Sequence, residues 1–419
     1  MTVYMNCNDN ESTKTPLLLA SAYGNLATIA MLLDNGADTE VRDRNGRTAL
    51  SWAAAEGHKE GVKLLLKRGA DLEARDTFGQ SALSWAAMGG HVGVVEFLVD
   101  SGADIESEDE FGQTPLLSAA KNGHDAVIRL LLQGGADIES RAAGGWAPLS
   151  WAAAKEHLLT VKMLLDYGAD IEAKGKFGQT ALSIAASKGY KDIVKLLLKR
   201  GANVEARDAY GRTALSWSAI NGHAGVTQLL LEMRADMEML CCEYARKPLS
   251  LAFDEERTEV IKLLLRNGAD IDSTDKYGRS LLSWAAIKGD EGVAKLLLQN
   301  GASVDLVDEY YQRTPISLAA ENGHEGFIRL LLVYGADVDS KDGIWGWTPL
   351  SWAATKGHEG AVRVLLENGA SAGTKSRFGQ TPLSRAAASG QDAIFQLLRQ
   401  VSQYERERES AISKESLLS

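Results

Sequence analysis

One segment of this sequence returns at an almost fixed interval. Residues 45–58 read NGRTALSWAAAEGH, and related segments occur along most of the chain. Successive copies lie 33 or 34 residues apart. Aligned on the threonine of this segment, the twelve copies begin at Thr15, Thr48, Ser81, Thr114, Ala147, Thr180, Thr213, Lys247, Ser280, Thr314, Thr348 and Thr381. A period in this range is typical of stacked supersecondary units, so it predicts a solenoid rather than separate globular domains.

Each copy carries signals for two short helices joined by tight turns. In the second copy, residues 43–46 have the composition of a turn. Thr48 is suited to cap a first helix, and Gly57 is suited to end it. Apolar residues between Glu60 and Arg68 predict a second helix. Helices this short are marginal alone in water, so their stability must come from packing between neighbouring repeats.

The full pattern, D-x-x-G-x-T-P-L-x-x-A-A-x-x-G-H-x-x-x-V-x-x-L-L-x-x-G-A, resembles the ankyrin repeat over residues 11–401. The resemblance implies an all-α solenoid of helix–turn–helix units whose connections are β-hairpin-like finger turns. We expect a short lead at residues 1–14, a twelve-repeat domain at 15–401 and a charged tail at 402–419. The T-[AP]-L-S-W-A-A variant also resembles the ankyrin arrays of filamentous fungi.

The chain departs from this pattern at several places. Serine stands where the family's T-P-L-H segment commonly has histidine, which leaves open whether the bond to the threonine is kept. Glu156 occupies a left-handed position that favours glycine, at an expected cost of about 1 kcal/mol. The repeat at 234–266 is the most degenerate, and we predict a kink or weak point across 233–257. The last helix is expected at 391–403, followed by a frayed end.

The composition narrows the class of partner and the cell compartment. A net charge of -11 argues against general binding to nucleic acids or anionic membranes. Three cysteines cannot form a disulfide framework, which fits a reducing interior. The N-terminal residues lack the apolar region of a signal peptide, and no apolar run is long enough to span a bilayer. We therefore expect a cytoplasmic monomer, with the nucleus as an alternative location.

The sequence offers little evidence for catalysis. All seven histidines lie ten residues after the threonine position, which indicates one structural role repeated rather than a metal or acid–base site. Nucleotide-binding, zinc-protease, C-x-x-C and EF-hand motifs are missing, so we expect no cofactor, no metal site and no enzyme activity. A remote alternative is an enzyme site near Cys241 and Cys242, which would need a thiol with a lowered pKa.

The finger turns hold the candidate binding residues. Nine of them carry an aromatic residue three positions before the threonine position, and many carry an arginine one position before it. Lysines recur near the end of the first helix, as at Lys155 and Lys188. The family resemblance places the finger aromatics beside a concave groove, where they either pack finger against finger or bind a partner. The predicted partner-binding residues are Phe177, Tyr210, Arg212, Tyr244, Arg246, Tyr277, Arg279, Lys288, Tyr311, Arg313, Trp345, Trp347 and Lys356.

These observations favour a scaffold or adaptor that binds another protein through its concave face, since aromatic residues and arginine dominate interface hot spots. The cations predict an acidic or extended partner segment, above all between Arg212 and Trp347. An alternative is a regulatory inhibitor of an enzyme or a transcription factor.

A further set of six tryptophans, four residues after the threonine position, is predicted to pack between helices: Trp52, Trp85, Trp151, Trp217, Trp284 and Trp352.

Overall fold

The computed structural model describes residues 14–241, 246–275 and 277–416, with side chains up to Tyr404. Over these residues the chain forms twenty-four α-helices. They are α1 (Pro16–Ala22), α2 (Leu26–Asp34), α3 (Ala49–Ala55), α4 (Lys59–Lys67), α5 (Ala82–Gly89), α6 (Val92–Asp100), α7 (Pro115–Asn122), α8 (Asp125–Gln133), α9 (Pro148–Ala154), α10 (Leu158–Asp166), α11 (Ala181–Lys188), α12 (Lys191–Lys199), α13 (Ala214–Asn221), α14 (Ala224–Glu232), α15 (Pro248–Asp254), α16 (Thr258–Arg266), α17 (Leu281–Lys288), α18 (Glu291–Gln299), α19 (Pro315–Asn322), α20 (Glu325–Val333), α21 (Pro349–Lys356), α22 (Glu359–Glu367), α23 (Pro382–Ala388) and α24 (Asp392–Ser416).

The helices form antiparallel pairs that stack in layers. A short first helix such as α3 packs on its own second helix, α4, and on the first helix of the next layer, α5. Ala53 and Ala54 of α3 are fully buried, which lets the neighbouring helices approach closely. Each second helix buries a leucine and valine stripe, such as Val62 and Leu65 of α4. The all-α solenoid of helix–turn–helix units predicted from the sequence is confirmed.

The chain divides into two compact units, one at 1–236 and one at 237–419. The first holds α1 to α14 and the second holds α15 to α24. The division falls inside the degenerate repeat. Arg234 and Glu256, which replace glycines there, adopt positive φ values of 60° and 56°. Cys242 and Tyr244 lie outside the described residues.

Serine in place of histidine keeps the cap of the first helix. The Thr48 hydroxyl accepts a hydrogen bond from the Ser51 backbone N–H at 3.3 Å, and the two hydroxyls lie 3.2 Å apart. The same hydroxyl pairing, at 3.2–3.3 Å, joins Ser81 to Ser84, Thr213 to Ser216, Ser280 to Ser283, Thr314 to Ser317 and Thr348 to Ser351. Serine, although smaller than histidine, therefore takes part in capping the first helix. Contacts between repeats depend on other residues.

The recurring histidines join successive repeats. Nε2 of His124 lies 2.9 Å from the carbonyl oxygen of Met88, one repeat earlier. Equivalent contacts of 2.7–3.1 Å involve His58, His91, His157, His223, His324 and His358. Gly90, at φ 73°, lies so close that a Cβ there would sit 2.5 Å from Nδ1 of His124. The predicted structural role of the histidines is confirmed, and the close approach of His124 explains the glycine at position 90.

A second ladder between repeats runs through the loops that precede the finger turns. The Glu106 carboxylate accepts the backbone N–H of Asp137 at 2.6 Å, and burial raises the pKa of Glu106. Asp305 and Asp339 accept backbone N–H groups of the following repeats in the same way, and burial raises the pKa of each. Part of the negative charge of the chain is thus used to join its layers.

The C-terminal helix extends beyond residue 403, where the sequence predicts its end. Helix α24 continues without a break from Asp392 to Ser416. The segment after residue 401 contains neither glycine nor proline, and its alternating glutamate and arginine residues at 405–409 are good helix formers. None of the helices in the described ranges is both long enough and apolar enough to cross a membrane.

Candidate functional site

Most of the finger turns are shaped by one carboxylate. In the turn at 208–212, Oδ1 of Asp208 accepts the backbone N–H groups of Tyr210 at 2.8 Å and Arg212 at 2.9 Å. Gly211 supplies the positive φ of 72° that closes the turn. The corresponding carboxylates in other fingers belong to Asp43, Asp76, Asp109, Asp275, Asp308 and Asp342. This bonding pattern fixes the aromatic residue at the finger without using its side chain.

Backbone hydrogen bonds connect one finger to the next through the aromatic position. In the first unit, the Phe177 carbonyl accepts the N–H of Ala209 at 2.9 Å. In the second unit, the Tyr277 carbonyl accepts the N–H of Glu309 at 3.1 Å. Because these bonds use only the main chain, each aromatic ring is held at a defined place and remains available for contacts.

Most finger aromatics are exposed. In the first unit, the exposed fractions of Phe78, Phe111, Phe177 and Tyr210 are 49%, 55%, 50% and 52%. In the second unit Tyr277 and Phe378 are also exposed, whereas Tyr311 and Trp345 are half-buried and stack at 5.6 Å between ring centroids. Among the described fingers, Tyr311 and Trp345 thus pack on each other, and the rings of Phe78, Phe111 and Phe177 are about half exposed.

The tryptophans of the first helices lie against the finger carboxylates. Nε1 of Trp217 donates to Oδ2 of Asp208 at 3.0 Å. The same bond, at 3.0–3.2 Å, links Trp52 to Asp43, Trp85 to Asp76, Trp284 to Asp275 and Trp352 to Asp342. Five of these tryptophans are half-buried and Trp352 is buried. The indole N–H needs an acceptor, and the finger carboxylate provides one.

Trp151 is the exception to this pairing. Ala142 occupies the position of the finger carboxylate, and Nε1 of Trp151 is buried without a hydrogen-bond partner among the described residues. Trp146 packs edge-on against the Trp151 ring, with centroids 4.9 Å apart. This finger is therefore built by aromatic contact rather than by a carboxylate.

In the first unit, the finger arginines stack on aromatic rings. The Arg47 guanidinium lies 4.6 Å from the ring centroid of Trp52 and 3.2 Å from that of Trp85. Burial lowers the pKa of Arg47, and the carboxylates of Asp76 and Asp43 act in the opposite direction. Arg212 lies over Tyr210 and over Trp217 of its own repeat. Such stacking holds the guanidinium at the finger while its charge persists.

In the second unit, finger cations have acidic partners of their own. Arg279 donates to Oδ2 of Asp275 at 2.8 Å. Burial alone would raise the pKa of Asp275, but hydrogen bonds from the backbone of Arg279 and Tyr277 and from the Arg279 side chain lower it overall. Other pairs are Arg313 with Asp308 and Glu321, Lys356 with Glu321, and Arg246 with Asp254. Lys288 donates to the Asp254 carbonyl and lies over Phe253. These contacts weaken the expectation that this segment selects an acidic partner.

Open cavities lie between adjacent fingers, beside their aromatic residues. One of about 320 Å³ lies in the second unit and is lined by Tyr277, Arg279, Asp308, Tyr310, Tyr311 and Arg313. One of about 270 Å³ in the first unit includes Phe78, Trp85, Phe111 and Lys121 among its lining residues. Neither Trp85 nor Lys121 belongs to the surface predicted from the sequence. A further aromatic cluster joins Trp345, Trp347 and Trp352, with Arg385 over Trp347.

The remote catalytic hypothesis gains little from the structure. Cys241 is 2% exposed, and its backbone pairs with that of Arg246 at 2.9 and 3.0 Å. A buried thiol is a poor nucleophile because solvent and substrate do not reach it. Cys242 lies outside the described residues. Within the residues that the structure describes, histidine, cysteine and carboxylate groups do not cluster as metal ligands.

Comparisons with known proteins agree with this architecture. A family model described as ankyrin repeats in three copies matches residues 2–76, 83–175, 149–241, 249–342 and 316–406. A similar solved structure is the crystal structure of the human ASB11 ankyrin repeat domain, at 30% sequence identity and a TM-score of 0.48, covering 52% of this chain and 97% of that one. The search of curated proteins returned no match. The repeats and the family match together show that the chain belongs to the ankyrin-repeat family.

Proposed function

We propose that this protein is a non-enzymatic scaffold or adaptor that binds another protein through its finger turns and the groove beside them. Ankyrin repeats generally mediate protein–protein interaction, which supports the class of function. We further propose a monomer in the cytoplasm or nucleus, without nucleic-acid or membrane binding, because the net charge is -11. A regulatory inhibitor of an enzyme or transcription factor would use the same surface, so it remains the second candidate.

The exposure of the finger aromatics carries this proposal. Phe78, Phe111, Phe177 and Tyr210 occupy the same position in four repeats, and about half of each side chain is exposed. Exposed large apolar side chains that recur on rigid turns are typical of a binding surface, whereas singly scattered ones are not. A partner that covers these rings gains apolar burial with little loss of conformational entropy, since the finger backbone is already fixed.

Each of the two units carries its own set of proposed residues. In the first unit we assign Phe177, Tyr210 and Arg212 to the binding surface. We add Phe78 and Phe111 because their side chains are exposed at the same finger position. In the second unit the proposed residues are Arg246, Tyr277, Arg279, Lys288, Tyr311, Arg313, Trp345, Trp347 and Lys356. The aromatic residues serve as anchors, and the stacked arginines provide donors at fixed positions. Tyr244 belongs to the predicted set but lies outside the described residues.

Affinity capture with matched variants tests the proposal. One variant combines Phe111→Ala, Phe177→Ala and Tyr210→Ala. Its control combines Met31→Ala, Leu159→Ala and Tyr167→Ala, which remove exposed apolar side chains elsewhere on the same unit. After circular dichroism shows that both variants fold, we expect proteins captured by the wild type to be lost with the finger variant and kept with the control. Loss with the control alone would exclude the finger surface.

A further inference from the structure

We propose that the first unit carries a binding site for an acidic, extended peptide segment along Lys121, Lys155 and Lys188. This inference rests on the proposed function, because it names the chemistry of the segment that a partner would present. The three residues are called the lysine row below. They belong to three successive layers, whereas the acidic partner predicted from the sequence was placed between Arg212 and Trp347.

The layers place one lysine per repeat. Lys121 lies in the last turn of α7, Lys155 caps the end of α9, and Lys188 is the last residue of α11. Helix α7 packs on α9, and α9 packs on α11. Lys121 also lines the 270 Å³ cavity that contains Phe78 and Phe111, so this end of the first helices faces the finger aromatics.

The positive charge of the lysine row is not neutralised within the described part of the chain. None of the three lysines forms an ion pair there, and Lys155 and Lys188 are exposed. Nζ of Lys121 lies 4.9 Å from the ring centroid of Trp151, a contact that leaves its charge intact. At an equivalent end of a first helix in the second unit, Glu321 pairs with Arg313 and Lys356.

The fingers in front of the lysine row have lost their carboxylates. Ala142 and Gly175 occupy the aspartate position in two successive fingers. Asp109 in the preceding finger is buried, and its Oδ2 accepts a bond from Gln80 at 3.0 Å. Lys176 adds an exposed cation at the next finger. Glu108, Glu110 and Glu156 are exposed acidic residues of these segments, and none of them forms an ion pair with the lysine row in the described part of the chain.

The spacing of the layers selects the form of the ligand. Packed helices lie roughly 8–10 Å apart, and a segment in the extended polyproline II conformation rises about 3.1 Å per residue with about three residues per turn. Carboxylates spaced about three residues apart would therefore face successive lysines. The residues between them would meet the exposed rings of Phe111 and Phe177. The preferred ligand is an extended segment with an acidic residue at every third position and apolar or aromatic residues between.

Fluorescence anisotropy with a defined probe tests this inference. The probe is a fluorescein-labelled peptide with glutamate at every third position and tyrosine and serine between, and a second peptide carries lysine in place of glutamate. We expect the glutamate peptide to bind the folded full-length protein and the lysine peptide not to bind. Replacing the lysine row by Lys121→Gln, Lys155→Gln and Lys188→Gln should weaken binding about tenfold, since exposed ion pairs contribute modestly.

A control variant changes the same charge on the second helices, with Lys162→Gln, Lys195→Gln and Lys199→Gln. These lysines are exposed on α10 and α12, and we expect unchanged peptide affinity. Equal weakening by both variants would mean that total charge decides binding, and would overturn the inference. Unchanged affinity of the lysine-row variant for the glutamate peptide would mean that these lysines do not bind it. They would then only offset the dipoles of their helices.

A second measurement does not depend on any variant. Acetylation of wild-type lysines, followed by mass spectrometry, should slow at Lys121, Lys155 and Lys188 when the glutamate peptide is present, and not at Lys162. Unchanged acetylation, or failure of the glutamate peptide to bind, would overturn the lysine-row inference. The capture experiment with the finger aromatics would still decide the proposed function, so the two failures are distinguishable.

Discussion

Trp217 donates its indole N–H to Oδ2 of Asp208 across 3.0 Å, nine residues earlier in the chain. The other carboxylate oxygen accepts the backbone N–H groups of Tyr210 and Arg212. One buried carboxylate therefore shapes the finger and ties it to the first helix of its repeat. The hydrogen bond that holds Tyr210 uses its backbone N–H, so a partner could cover the exposed ring without breaking it.

The Asp275 carboxylate should stabilise the fold in a pH-dependent way. Asp275→Asn places an amide donor against Trp284 and Arg279, and we expect about 2 kcal/mol lower stability at neutral pH. Because folding lowers the pKa of Asp275, its contribution is complete above the unfolded value of about 3.9 and is lost as pH falls through the folded-state pKa. The difference from wild type in urea unfolding should thus shrink from pH 7 to pH 3. The same difference at both pH values would contradict this.

A carboxylate restored at position 142 should stabilise the first unit. Ala142→Asp would give the buried Nε1 of Trp151 the acceptor that its counterparts have. One such bond contributes about 1 kcal/mol. Ala143→Asp is the control, since Ala143 is exposed in the same finger. Urea midpoints should rise for the first variant only, and a lower midpoint for Ala142→Asp would show that Trp146 leaves no room for the new side chain.

Relief of left-handed backbone strain should also raise stability. Glu156 adopts φ 65°, as predicted from its place in the repeat. Glu156→Gly removes a cost of about 1 kcal/mol. The neighbouring change Lys155→Gly, at φ -108°, should instead lower stability because glycine there only adds freedom to the unfolded chain. Thermal unfolding of both variants checks the sign, and a loss of stability in Glu156→Gly would refute the strain argument.

The histidine ladder should contribute through contacts between repeats. His124→Ala removes the bond to the Met88 carbonyl, and we expect a loss of about 1–3 kcal/mol. Tyr190 occupies the same position in a repeat without histidine, so Tyr190→Ala provides a comparison in which no such bond is lost. Chemical denaturation of both variants separates the bond from ring packing. Equal losses would assign the effect of His124 to packing alone.

The fold could be predicted almost completely from the sequence, because its signals are local and repeated. Thr48 predicts a helix start, Gly57 a helix end and His58 a turn. The structure places all three in these roles. The C-terminal helix was harder, since a charged segment without breakers fits both a frayed tail and the observed α24. The division of the chain after Asp236 lies within 233–257, where the degenerate repeat predicts a kink or weak point.

The candidate site could be predicted only in part. The constant position of Phe111 and Phe177 indicated a finger strip, and their exposure agrees with it. Arg279 and Asp275 are four positions apart, and their pairing depends on the turn that brings the two side chains together. The sequence also contains a signal for the tryptophan bond, because an aspartate lies nine residues before most of these tryptophans. Ala142 takes that position before Trp151. Charge balance at a surface depends on such pairs and not on composition.

Site-specific photo-crosslinking tests the central claim most directly. A benzoyl-phenylalanine residue would replace Phe177 on a finger, or Leu159 on the second helix α10, which is similarly exposed. If the fingers bind a partner protein, irradiation in cells should give a discrete crosslinked product from position 177 and none from position 159. A product from position 159 with none from position 177 would contradict binding through the fingers and place the interaction on the second helices.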